Sequence, residues 1–391
     1  MRKIVLSLLL AGSLIGLGRA AHAADSVVSA LPSDLQPGYQ NLDPLVPVGP
    51  SAYGDFKPKK GPPWTIGYAS NYAGNTWRAA VMDRLMGDVL SKYQKAGLVK
   101  KIVVTQSNLD NATQIQQMRQ MVGQGADAII ICCSDVTAMN NAIKYAHDRG
   151  VPVFSYSGYV TSPYAINVTE NIDNGGYDMT KALAEQIGGK GNVLLVSGIP
   201  GYASSDTFDK GAMRAFKEYP NIKVVGDVAG KWTDQVAQVE VQKFLATHPE
   251  KLDGIVVQSA AEAGVLRAVL QSGRPLMPIT LGGETGPSCY WRQHKDWVST
   301  SWNFWPPGND IELVFDAAIR VLEGQGPKIE TITWNIKPLS YDEMTQSVPA
   351  DCSVDANGWV EPAYGPWFGD ALGSFYAHPH DPLTWKPGAA Q

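Results

Sequence analysis

The sequence predicts an α/β protein built as two similar lobes, each a parallel sheet with helices on both faces. Three observations carry this. From Trp64 onward, short apolar runs alternate with longer stretches of helical period, the rhythm of a parallel sheet assembled from strand–helix–strand units. The rhythm begins again after about residue 173. Finally, two stretches echo each other. Asp127-Ala128-Ile129-Ile130-Ile131 leads through a helical pattern to Gly150 and VPVFSYS, and Asp253-Gly254-Ile255-Val256-Val257 leads through one to Gly273 and LMPITLGG.

The N-terminus sets the compartment. Arg2 and Lys3 precede the apolar run IVLSLLLAGSLIGLG and an Ala21-His22-Ala23 site, the three parts of a secretory signal peptide. The run falls short of the roughly 20 residues that a spanning helix needs. No later run is long and apolar enough to span, and no Cys marks a lipid anchor at the cleavage site. The expectation is an exported, soluble, periplasmic protein cleaved near Ala23. Residues 24–63 are rich in Pro, Gly and Ser and read as an extended leader rather than a domain.

The first lobe is expected to use strands TIGYAS, KKIVVTQ, DAIIICC, VPVFSYS and YAINV, with helices over 76–96, 111–123 and 136–149. In the second, helices over 173–187, 205–218, 234–247 and 261–272 precede strands NVLLVSG, IKVVGDV, GIVVQS and MPITLGG. A strand WVSTSWN and a helix over 309–323 follow.

Composition excludes several classes. A net charge of −5 without a basic stripe argues against a nucleic-acid surface. Neighbouring strand residues point to opposite faces, so Cys132 and Cys133 are read as buried apolar residues rather than a pair. Cys289 and Cys352 lie in irregular segments, and whether they bridge is left open. SGIPGYASSD lacks the spacing of a dinucleotide site, GYASS is not a nucleophile elbow, and Walker A and HExxH are absent. His378-Pro379-His380-Asp381 sits in a Pro-rich tail and reads as surface rather than as a metal site. No cofactor, metal or catalytic residue is expected.

In open parallel sheets, ligands lie beyond the carboxyl ends of the strands. The segments there include Asn71–Arg78, Ser107–Asn111, Ser157–Gly158, Gly198–Asp206, Lys231–Trp232, Gln258–Ser259, Gly283–Glu284 and Trp302–Trp305. They mix aromatics, amides, hydroxyls and carboxylates with few cations. That mixture suits a neutral polyhydroxylated ligand, whose C–H faces lie on aromatic rings and whose hydroxyls meet amides and carboxylates.

With these segments in order, residues 64–335 resemble the periplasmic sugar-binding proteins of ABC importers, of the ribose-binding type. The resemblance rests on NYAGNTWR after the first strand, GADAIIICCSDVTAMNNAIKYAHDRGVPVFSY, the NIDNGG crossing, GKWTDQVAQVEVQKFLATHPEKLDGIVVQS, and LGGE where the family has Gly-x-Asp or Gly-Glu. It implies two Rossmann-like lobes joined by a three-segment hinge, with crossings near residues 172, 303 and 325. The first lobe then comprises 64–172 plus 304–325, the second 173–303 plus 326–340, and 341–391 forms an extension over a lobe or the hinge.

The resemblance also implies roles. Asn71 and Asn75 bond ligand hydroxyls, Trp77 and Trp232 stack on the ring from the two lobes, and Arg78 reaches the ligand. Ser259, Glu284 and Asn303 bond hydroxyls from the second lobe and the hinge. Two positions depart from the pentose-binding pattern. Ser157-Gly158 replaces Asp-Arg after the fourth strand, and Phe208, with Asp206 nearby, stands where an Arg is usual. Ser157, Asp206 and Phe208 therefore join the candidates, and the sugar is left open. The implied ligand is a monosaccharide or polyol, and the implied partner is an inner-membrane ABC permease. The protein is expected to be monomeric and not inserted in the membrane. The alternatives are a sugar sensor read by a chemoreceptor or sensor kinase, or an exported enzyme. The related repressors begin with a helix-turn-helix, where this chain has the signal peptide and leader.

Overall fold

The computed structural model describes residues 24–132, 135–302, 306–361 and 371–384. A short helix α1 covers residues 24–29. The first lobe then runs β1 (Trp64–Ser70), α2 (Thr76–Arg84), a π-helical turn (Leu85–Val89), α3 (Leu90–Lys95), β2 (Val99–Gln106), α4 (Asn111–Gly123), β3 (Ala128–Cys132), α5 (Asn140–His147), β4 (Val153–Tyr156) and β5 (Ala165–Glu170). The second lobe runs α6 (Ile172–Gln186), β6 (Lys190–Ser197), α7 (Ala203–Phe216), β7 (Asn221–Ala229), α8 (Asp234–Thr247), β8 (Gly254–Val257), α9 (Glu262–Gln271) and α10 (Thr285–Gln293). The chain closes with α11 (Pro307–Leu322), β9 (Thr331–Trp334) and α12 (Tyr341–Ser347).

The first sheet has the order β2-β1-β3-β4-β5-β9 and the second β7-β6-β8; every strand pairing is parallel. The burial pattern shows why the apolar runs become strands. All five residues of β3 and all four of β8 are buried, as expected for strands of parallel sheets covered on both faces. The helix starts are equally local. Asp110 caps α4 by accepting from Ala112 N and Thr113 N, and Asn171 caps α6 by accepting from Asn174 N.

Two expectations are corrected. Residues 326–340 were assigned to the second lobe, yet β9 pairs with β5 over Asn167–Glu170 as the edge of the first sheet. The third crossing therefore follows Trp334 rather than residue 325. Secondly, MPITLGG and WVSTSWN form single bridges, Ile279 with Ile255 and Ser301 with Leu339, instead of strands. At the first of these, Val257 N donates to the Thr280 side-chain oxygen at 2.7 Å, where a continuing ladder would present a carbonyl.

The leader and the tail are packed, not merely extended. Leu31, Leu35 and Tyr53 are buried in the core. Tyr39 Oη donates to Thr331 O at 2.6 Å, and Asn171 Nδ2 donates to Gly38 O and Gln40 O, so the leader is tied to two hinge segments. The extension covers both lobes. Met344, Val348 and Val360 join the second-lobe core, and a Cys289–Cys352 disulfide fastens this part. Leu372, Phe375 and Tyr376 are buried against the first lobe. His380 Nε2 lies 3.0 Å from Glu323 Oε2, a fully buried side chain, so this His ties down the tail. No group of side chains that could hold a metal is found among the described residues.

Candidate functional site

The carboxyl ends of both sheets converge on one cavity. Its first-lobe wall is Tyr72, Asn75, Trp77, Arg78, Val136, Ser157, Gly158 and Tyr159, and its second-lobe wall is Tyr202, Ala203, Ser204, Trp232, Ser259 and Ala260. Among these described residues no side chain is a carboxylate, and Arg78 is the one cation. The backbone is unusual here. Ser157, Trp232 and Ala260 have φ of 52°, 53° and 73°, a region that costs non-glycine residues about 1–3 kcal/mol each and clusters at ligand clamps.

Asn75 joins the lobes. Its Oδ1 accepts from Arg78 N at 3.0 Å, capping α2, while its Nδ2 donates to Trp232 O at 2.9 Å on the opposite lobe. Tyr72 Oη and Thr233 Oγ1 form a second contact across the cleft at 3.2 Å. These bonds describe closed lobes. The space they leave is about 50 Å³, room for a few waters at about 10–15 Å³ each on this measure, so a sugar ring enters only when the lobes part.

Trp77 stacks beside Tyr156, with ring centroids 6.3 Å apart and the planes inclined by 26°. The Arg78 guanidinium sits 4.4 Å from the centroid of the Trp77 ring, and its Nη1 reaches Cys132 Sγ at 2.7 Å. Across the cleft, Trp232 Nε1 donates to Gln258 Oε1 at 3.0 Å. Gln258 Nε2 in turn donates to Asp209 Oδ1 at 2.7 Å, and burial pushes the Asp209 carboxyl up to about 6. Gly198 leaves room for the indole, since a Cβ there would come within 2.3 Å of Trp232 Cε2. The Trp232 ring is thus set by a Gly198–Gln258–Asp209 support. Sequence reasoning placed Gln258 near the ligand side but gave it no role.

The structure brings Asn75, Trp77, Arg78, Ser157, Trp232 and Ser259 together at the cavity. Four other expected residues lie elsewhere. Asn71 is fully buried in the turn, where its N–H donates to Cys132 O and its side chain bonds Asn111 and Ser107. Phe208 is core, with no exposed surface. Asp206 accepts from Gly201 N at 3.1 Å and is exposed outside the cavity. Glu284 is buried behind it and accepts from Ala263 N at 2.7 Å. Asn303 lies outside the described residues.

Glu284 belongs to a carboxyl group cluster that shapes the β8–α9 loop. Glu262 accepts from Ala260 N at 3.0 Å and Ala261 N at 3.2 Å, and from Gly282 N across the loop. Burial pushes Glu262 up to about 7. Burial and the nearby Glu262 charge hold Glu284 well above the usual range. These groups hold the turn that presents Ser259 and Ala260 to the cavity. At the hinge side, burial and the neighbouring Glu170 likewise raise Asp310, while Arg78 opposes the shift.

Comparison with known proteins identifies the family. A 27 % identical stretch of 192 residues relates the chain to a xylitol-binding protein of Mycolicibacterium smegmatis, spanning 49 % of this chain and 55 % of that protein. The galactofuranose-binding protein of Escherichia coli is 27 % identical over 58 % of this chain and 73 % of its own length. A solute-binding protein of an ABC transporter from Thermobispora bispora shares the fold, with a TM-score of 0.69 at 22 % identity, covering 82 % of this chain and all of that one. A family model described as a periplasmic binding protein domain matches residues 66–326, and the chain belongs to that family.

Proposed function

We propose that this protein is the substrate-binding component of an ABC-type uptake system, exported to the periplasm, where it captures a monosaccharide or polyol between its lobes. The observation that carries this is the cavity walled by Trp77 and Trp232 from opposite lobes and closed by the Asn75–Trp232 bond. The indoles supply faces for a ring's C–H surface, and Asn75, Ser157, Ser204 and Ser259 supply polar atoms for hydroxyls. The xylitol- and galactofuranose-binding relatives support a polyol or sugar ligand. Solved neighbours of the same fold include one with bound D-allose.

A ligand that touches both walls favours the closed form by the difference in its contacts between closed and open forms. An inner-membrane permease then reads the closed form and receives the ligand. The protein acts as a monomer without chemistry of its own, after cleavage of the signal peptide near Ala23. The described residues contain no helix long and apolar enough to cross a membrane.

The test is a thermal-shift screen of the mature chain with D-xylose, D-ribose, D-galactose, D-allose and xylitol, followed by recovery of the ligand. A binder at 100 times its Kd adds about 2.7 kcal/mol to stability, which is several degrees in Tm, and returns unchanged. Failure of every compound to bind, or chemical conversion of the bound one, overturns the proposal.

A further inference from the structure

The cavity does not end at its own walls. Val136, Tyr159, Tyr202 and Ala203 also line a second, larger chamber of about 490 Å³. This outer chamber is walled by three parts of the chain: Asp43 and Leu45 of the leader, Asn111 and Asp135 of the first lobe, and Asp206 and Lys210 of the second. Its volume is about tenfold that of the inner cavity.

The two chambers differ in chemistry. The inner one is aromatic and lacks carboxylates among its described lining residues; the outer one offers three carboxylates, an amide and an ammonium group. Each carboxylate lines the chamber and is held by bonds to its own loop. Asp43 Oδ1 takes Leu45 N at 2.9 Å, Asp135 Oδ1 takes Thr137 N and Ala138 N, and Asp206 Oδ1 takes Gly201 N. Carboxylates and amides are the groups that pair with sugar hydroxyls. The leader wall is built in, because Tyr39, Gly38 and Gln40, just before Asp43, are bonded to the hinge at Thr331 and Asn171.

We infer that the outer chamber is the second half of the ligand site and that the protein takes a disaccharide. One ring occupies the inner cavity between Trp77 and Trp232, with the lobes parted to admit it. The second ring passes Tyr159 and Tyr202 and sets its hydroxyls against Asp43, Asp135 and Asp206. The inference rests on the sugar-capturing function proposed above. It also gives the leader a role, as the wall that a shorter chain would lack.

Titration calorimetry on the mature chain tests it with three matched pairs: D-xylose and xylobiose, D-glucose and cellobiose, D-galactose and lactose. At least one disaccharide is expected to bind at least tenfold more tightly than its monosaccharide. Leu45→Trp, at a position 58 % exposed, fills the outer chamber, and the affinity ratio of that pair falls toward one. A ratio below tenfold in every pair, or a ratio unmoved by Leu45→Trp, overturns the inference. If monosaccharides alone bind, only the disaccharide site falls; if none of the six binds, the disaccharide site falls, and the sugar-capturing function falls with it when D-ribose, D-allose and xylitol fail too.

Discussion

Asn75 does two jobs through two atoms, and two substitutions separate them. Asn75→Ala removes the cap on α2 and the bond to Trp232 O. Asn75→Asp keeps an acceptor for Arg78 N, so the cap survives, but sets a carboxylate oxygen against the Trp232 carbonyl. Loss of an Asn cap costs about 1 kcal/mol, and a net hydrogen bond of this kind contributes about 1 kcal/mol. The cross-lobe bond therefore biases closure by a factor of about five. Urea unfolding followed by circular dichroism reads the cap, and small-angle scattering with and without a bound sugar reads closure. Asn75→Ala should lose about 1 kcal/mol of unfolding free energy relative to Asn75→Asp. Both should shift toward the open form and weaken binding by at least about fivefold, the share lost with closure alone. If Asn75→Asp closes and binds as the wild type does, the Asn75–Trp232 bond plays no part in closure and the reasoning fails.

Two further outcomes follow from the burial of expected ligand residues. Phe208→Ala should cost about 3–5 kcal/mol of stability, as for a buried aromatic, while the folded fraction keeps its ligand affinity; affinity loss at unchanged stability would return Phe208 to the site. Glu262 holds its proton in the folded chain up to about pH 7, above the ordinary value of 4.5, so the folded state binds more protons between these pH values. Stability should then fall as pH rises through that window, under the influence of Glu284, Asp234 and, beside Asp234, Arg267. Glu262→Gln should flatten the fall in the urea midpoint between pH 5 and pH 8, and an unaltered slope would remove Glu262 as its source.

Much of this was legible in the sequence for a simple reason. A strand buried on both faces must be an apolar run, so AIIIC and GIVV announced themselves. Because ligand sites gather at strand ends, the segments carrying Asn75, Trp77, Ser157, Trp232 and Ser259 were found together. Phe208 was assigned by its aligned position, although helical spacing spoke against it. Ser205, Phe208, Ala212 and Ala215 form one buried face of α7, and Asp206 lies off that face. The lobe to which β9 belongs was not legible, since TITW fits the edge of either sheet and only pairing with β5 decides. The docking of the leader was hidden because it rests on scattered anchors, such as Leu35 and Tyr53, within a Pro- and Gly-rich stretch. Glu284 was recognised as special but given the wrong partner: it faces Glu262 and Ala263 N behind the cavity rather than the ligand side.

The most direct measurement is the affinity, by titration calorimetry, of wild type, Trp77→Ala and Trp232→Ala for the tightest binder among D-xylose, D-ribose, D-galactose, D-allose and xylitol. Burying a sugar face against an indole should contribute about 2 kcal/mol, from apolar contact area and aromatic geometry together. Each substitution is therefore expected to raise Kd about thirtyfold, read on the folded fraction, because Trp77 is 5 % exposed and its truncation also lowers stability. Affinities within twofold of wild type in both variants would contradict a sugar held between Trp77 and Trp232.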